Sequence, residues 1–230
     1  LRAWAASRPA GMRPSVIIAA SAVGFYGERG EESLTEANGA GEGFAARVCR
    51  AVEREAAASR CLGMRVVSLR IGLVLSIRGG PLGAMVPAFD LGLGGPLGSG
   101  RQWTSWIARD DLVRLMAHAI ASPEIEGAVN ATAPKPVRGK ELASALGRAL
   151  RRPVLFRVPA WLLRGGLGAL ADEVLLASQR VFPVKASASG FVFDRPTIED
   201  ALHHELRPAG NGVREGRGAT RHAAAAAGNR

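Results

Sequence analysis

The 230-residue sequence contains one tyrosine, two cysteines and four histidines, and only three of its 30 basic residues are lysines. Cys49 and Cys61 form neither a disulfide framework nor a zinc-ligand spacing, which sets aside the small secreted disulfide scaffolds and the common structural zinc sites. His203 and His204 stand together with no further ligand pattern, so no metal is expected. No apolar run approaches the roughly 18 residues of a membrane span, and the first residues show no basic and apolar secretion signal. The expectation is a cytoplasmic protein with no membrane partner. Aromatic residues make up only 5% of the chain and are not interleaved with its basic residues. The formal charge of +10 therefore does not predict specific nucleic-acid binding, which needs a clustered basic face. Part of that charge falls after residue 206, in a Gly, Ala, Asn and Arg segment expected to be a disordered basic tail.

What is present is ordinary for a globular domain: 47% apolar and 22% charged residues. The most informative stretch runs from Ser15 to Gly27. Val16 to Ser21 carry no charge and no turn former, which predicts a strand buried on both faces, as central strands of parallel sheets are. Ser21 closes this strand and Tyr26 follows it, at the carboxyl edge where open α/β sheets place their ligands. Next comes a loop, 28–42, with five glutamates, readable either as a functional lid or as a solvated excursion.

The spacing of Phe44, Val48, Val52 and Ala56 predicts an amphipathic helix with those residues inward. Gly63 ends it, and Val66 to Ile71 forms a second buried strand, giving a βαβ unit with parallel pairing. Residues 76–105 are glycine-rich. The run from Gly94 to Gly100 is not a phosphate-binding turn, because Trp103 to Ile107 follows it instead of a helix. Further helices are expected after Asp110, which would cap its own, from Glu141 to Arg151, over 160–170 and 172–181, and after a Thr197/Asp200 capping box. Short strands are expected at 128–131 and at Val154 to Val158.

Taken together, Ser21-Ala22-Val23-Gly24-Phe25-Tyr26-Gly27, Thr35-Glu36, Leu69-Arg70-Ile71-Gly72, Trp106-Ile107 and Asp110-Asp111 resemble the extended short-chain dehydrogenase/reductase superfamily. The run Gly92 to Gln102, Ser105-Trp106-Ile107, Val129 to Pro134 and Gly190-Phe191 narrow the resemblance to its atypical epimerase family, whose members are NAD-dependent epimerase/dehydratase-like and end in a small domain of unknown function. The resemblance implies an α/β, Rossmann-like parallel sheet with helices on both faces, and NAD or NADP as cofactor. The glycine-rich pyrophosphate-binding half of that fold is expected before Leu1, outside these residues. It further implies Ser21 and Tyr26 as catalytic, Ala20, Arg70 and Gly72 on the cofactor, and Arg101, Gln102 and Trp106 on a small-molecule substrate. The expected domains are 1–132, the Rossmann-like part, and 133–206, the small C-terminal domain.

Two departures bear on function. The superfamily's acid/base pair is a tyrosine followed four residues later by a lysine, which lowers the phenol's pKa. The corresponding helix carries Phe44 and Val48 instead. Sugar-nucleotide members also place an arginine two residues before the aromatic matching Trp106, and here that position is Thr104. Arg101 could take its place, since a guanidinium binds anions in a bidentate fork. The reading is an NAD(P)-dependent oxidoreductase or epimerase-like protein. The competing reading is a non-catalytic nucleotide-binding or structural module that has lost the pair.

Overall fold

The computed structural model describes residues 2–168 and 171–206. The expected disordered tail from Arg207 onward lies outside the described residues. In chain order the elements are α1 (Arg2–Ala6), β1 (Val16–Ala22), β2 (Ser33–Leu34), α2 (Phe44–Ala57), β3 (Arg65–Ile71), β4 (Leu73–Leu75), α3 (Gly80–Asp90), β5 (Trp103–Thr104), β6 (Trp106–Ala108), α4 (Arg109–Ala121), β7 (Gly127–Ala131), β8 (Val137–Arg138), α5 (Gly139–Leu150), α6 (Ala160–Leu167), β9 (Arg180–Val181), α7 (Val184–Ala188) and α8 (Ile198–Glu205). A π-helical turn, Ala171–Leu176, precedes β9.

The two apolar runs and the strand at 127–131 pair in parallel in the order β1-β3-β7. Ser21 lies opposite Arg70, and Arg70 opposite Asn130. Among the described residues, β1 has a strand partner on one side only. Because side chains alternate across a strand, the sheet has two distinct faces. Ile17 and Val66 pack with Ala5, Ala56 and Met64 beneath α1 and α2. Val67, Leu69 and Val129 pack with Leu112, Leu115 and Ala119 of α4. Helices thus cover both faces, the α/β parallel arrangement expected from the sequence.

A third cluster joins Leu75, Leu82, Phe89 and Trp106 to Leu142, Leu146, Ile198 and Leu202. Strand pairs also span the chain: β2 with β9 in parallel and β5 with β8 antiparallel. The segment after residue 132 is therefore sewn into the first part, around the carboxyl ends of β1 and β3.

Three local expectations are corrected. The inward face of α2 is Ala46, Cys49 and Ala56, while Phe44, Val48 and Val52 are exposed. The cause is Glu53, a half-buried partner of Arg70 that hydropathy spacing assigns to the solvent side. Val154 to Val158 forms no strand; Val158 makes a single bridge with Leu97. Asp110 does not cap α4, whose N-cap position is Ala108 with no side-chain bond. The Thr197 cap does form, its hydroxyl accepting from the Asp200 amide.

The loop 28–42 is fastened down. Gly41 donates to Phe25 O at 2.9 Å, and a Cβ at Gly41 would lie 2.0 Å from Tyr26 O. That neighbour is backbone and cannot swing aside. Gly41→Ala is therefore expected to cost on the order of 3 kcal/mol, as overpacking does. Gly39→Ala, where a Cβ meets nothing within 4 Å, should leave the urea midpoint nearly unchanged.

Candidate functional site

The register of the sheet sets three polar side chains in one row near its carboxyl edge: Ser21, Arg70 and Asn130. Arg70 shares the α2 face with Val66 by strand alternation, and Glu53 reaches it from α2. Arg70 Nε and Nη2 donate to the two Glu53 oxygens at 2.9 Å each, and Ser21 Oγ donates to Glu53 Oε1 at 2.9 Å. Arg70 Nη1 donates to the Tyr26 hydroxyl at 3.0 Å, and its guanidinium lies 3.4 Å from the Phe25 ring centroid. The phenol in turn faces Asn130 Oδ1 at 2.7 Å and Thr35 O at 2.9 Å. Asn130 Nδ2 donates to Phe182 O, and the Asn130 amide donates to Glu36.

This is a continuous network in which, among the described residues, one buried oxygen, Glu36 Oε2, is left without a partner. Burial works against the Arg70 charge, but the hydrogen bonds to Glu53 and Tyr26 outweigh it and hold its pKa above the usual arginine value. Burial raises the Tyr26 pKa, and the Arg70 and Asn130 hydrogen bonds offset that only in part. Tyr26 is fully buried and stays a neutral phenol.

The open space lies beside this row. A cavity of about 760 Å³ is walled by Ala22, Val23 and Gly24 at the end of β1, Ile71, Gly72 and Leu73 at the end of β3, and Ala45 of α2. Its far walls include Leu97, Gln102, Trp103, Thr104 and Ser105. An adjoining cavity of about 480 Å³ shares Gly24, Ala45, Gln102, Glu173 and Ala177 with it. Ser105 is held from both sides, donating to Gln179 O and accepting from the Val181 amide. Glu173 closes the α2 end: its carboxylate accepts from the Phe44 and Ala45 amides at 3.0 and 2.6 Å. Those backbone bonds hold its pKa below the usual glutamate value.

Of the residues singled out in the sequence, Gly72 and Gln102 line the cavity. Ser21 and Tyr26 sit behind its wall in the Arg70 network, since strand parity turns Ser21 toward α2 and leaves Ala22 at the cavity. Arg70 is likewise behind the wall. Ala20 is exposed, and Trp106 is buried with its indole N–H on Lys135 O. Arg101 is exposed, and its carbonyl accepts from Arg138. Sequence reasoning missed Glu53 and Glu173 altogether. Asn130 was visible only within a longer motif.

The residues 158–205 match a family model described as a domain of unknown function, DUF1731. Over 188 residues the chain is 44% identical to an epimerase family protein of Mycobacterium tuberculosis, covering 82% of this chain and 62% of that relative. Its relatives are epimerase family proteins. The chain spans less than two thirds of that relative's length. The human epimerase family protein SDR39U1, solved with NADPH, superposes with a TM-score of 0.77 at 27% identity, over 87% of this chain and 67% of that one. A nucleoside-diphosphate sugar epimerase of Corynebacterium glutamicum gives a TM-score of 0.69 at 37% identity, over 85% of this chain and 38% of that one.

Arg70 is buried, its side chain 6% exposed. Glu53→Gln leaves that charge unpaired and is expected to cost about 3 kcal/mol or more in urea unfolding; a loss below about 1 kcal/mol would mean the pair is solvated. Tyr26 gives a second test, because the only tyrosine makes absorbance at 295 nm unambiguous. With a raised folded pKa, its contribution to stability is complete below the ordinary value of about 10 and is lost as pH rises through the folded value. The folded protein should titrate above pH 10, and Tyr26→Phe should flatten the alkaline loss of stability. Titration at or below pH 10 would contradict the buried phenol.

Proposed function

We propose that this chain forms the nicotinamide and substrate side of an NAD(P)-dependent oxidoreductase or epimerase-like protein. The observation that supports this most directly is the cavity at the carboxyl ends of two adjacent parallel strands, the ligand position of open α/β sheets. Its floor suits a flat ring. Ala22, Gly24, Ala45 and Gly72 are small, and a Cβ at Gly72 would lie 2.6 Å from Ser105 O, so a larger side chain has no room there. The human relative solved with NADPH supports the same cofactor class.

The nicotinamide would supply hydride transfer when bound. Ala22 to Gly24 and Ile71 to Leu73 would seat it and exclude water, with Ser21, Tyr26 and Arg70 bracing that edge from behind. Gln102 and Thr104 would face the substrate. Glu173 is held as an anion at the wall, which makes it a hydrogen-bond acceptor and a poor proton donor.

One observation favours the second reading, a binding module without turnover. Among the described residues, no tyrosine, lysine or histidine lines the cavity. That leaves no side chain with a pKa near neutrality to relay a proton. The complete protein separates the readings, since both require binding and only the first requires turnover. NADPH titration followed by its fluorescence should show saturable binding, and Ala45→Trp, which fills the cavity, should weaken it at least about tenfold. Unchanged affinity in that variant would remove the cofactor from this cavity.

A further inference from the structure

The charges around the cavity are unevenly committed. Among the described residues, three charged ones line it: Arg78, Arg109 and Glu173. Glu173 is engaged by the α2 amides. Arg109 is engaged by Asp110 at 3.1 Å and by Glu205 at 3.5 Å. The Arg78 guanidinium makes no hydrogen bond or ion pair among the described residues, and only its backbone amide is engaged, by Ser76. It stands on the α3 side, after Ser76 and Ile77. The wall between Arg78 and Glu173 is mostly apolar and includes Leu73, Val74, Met85, Leu97, Leu142 and Val174.

The adjoining cavity is acidic. Glu28, Glu42, Asp172 and Glu173 line it with one cation, Arg164, and that arginine is spent on Asp172 at 2.8 Å. A ligand with several negative charges therefore meets one uncommitted guanidinium at one end and a carboxylate-rich wall at the other. Like charges there raise the cost of binding it.

We infer that the substrate is a small apolar molecule bearing one anionic group, its apolar body along the Leu73 to Leu142 wall and its anion on Arg78. Nucleoside diphosphate sugars are disfavoured. This deepens the cofactor-and-substrate reading of the cavity and rests on it. One guanidinium matches one carboxylate in a charge-assisted hydrogen bond, whereas a diphosphate would leave charge uncompensated beside the acidic cavity. Apolar burial supplies the rest of the affinity.

The test is calorimetric titration of the complete protein with 4-phenylbutyrate, 4-phenylbutan-1-ol and UDP-glucose, each with and without saturating NADPH. The acid is expected to bind more tightly than UDP-glucose. Arg78→Gln, at an exposed position that leaves the core intact, should weaken the acid about tenfold, the loss of one charge-assisted bond. It should leave the alcohol unchanged. Tighter binding of UDP-glucose, no binding of the acid at millimolar concentration, or equal acid affinity in Arg78→Gln overturns the inference. NADPH affinity is read separately in the same titrations. If the acid binds through Arg78 while NADPH does not bind, the cofactor reading fails and the ligand assignment stands.

Discussion

The bidentate contact between Arg70 and Glu53 is the interaction on which the rest of this architecture hangs. A guanidinium inside a parallel sheet is tolerated only when its charge is matched and its donors are used, and here every neighbour serves that need. Glu53 neutralises it, Tyr26 accepts from it and Phe25 stacks on it. Through the phenol the network reaches Asn130 and Thr35, and through Asn130 it reaches Phe182 and Glu36. One buried charge thereby fixes the orientation of α2, the loop after β1 and the segment after β9.

The same contact separates two jobs at one strand edge. Odd positions of β1 look toward α2, where Ser21 joins the network. The even position Ala22 looks at the cavity. A strand has two faces, so the polar bracing and the apolar ligand wall are built from adjacent residues without competing for space. The wall is built of small residues, while its rigidity comes from the hydrogen bonds of the row behind it.

The sheet was legible in the sequence because Val16 to Ser21 and Val66 to Ile71 are apolar enough to demand burial on both faces, and the intervening helix length demands parallel pairing. The Thr197 cap was legible because its chemistry is local. The site was legible only in part. Gly72 and Gln102, singled out from the motifs, line the cavity, whereas Ser21 was placed by its position along the strand with no knowledge of parity. Glu53 was unreadable, since a glutamate on a charged helix looks solvated until Arg70 is known to lie beneath it. For the same reason the Phe44, Val48 and Val52 spacing pointed the wrong way. Glu173 acts on amides some 130 residues away in sequence, a relation no local pattern encodes.

The stitching of β2 to β9 has a consequence for how the protein is made. Gln179 Nε2 donates to Gly27 O across 152 residues, and Ser178 binds Glu28 and Gly30 across similar spans. Contacts this distant close late, because loop entropy is spent before they form. During synthesis the strand edge at Ala22 leaves the ribosome some 150 residues before Ser178 and Gln179, an apolar surface without its far wall until they follow. The cavity thus closes only after residues 178 and 179 are made, and chaperone protection during translation matters most for the strand edge that waits for them.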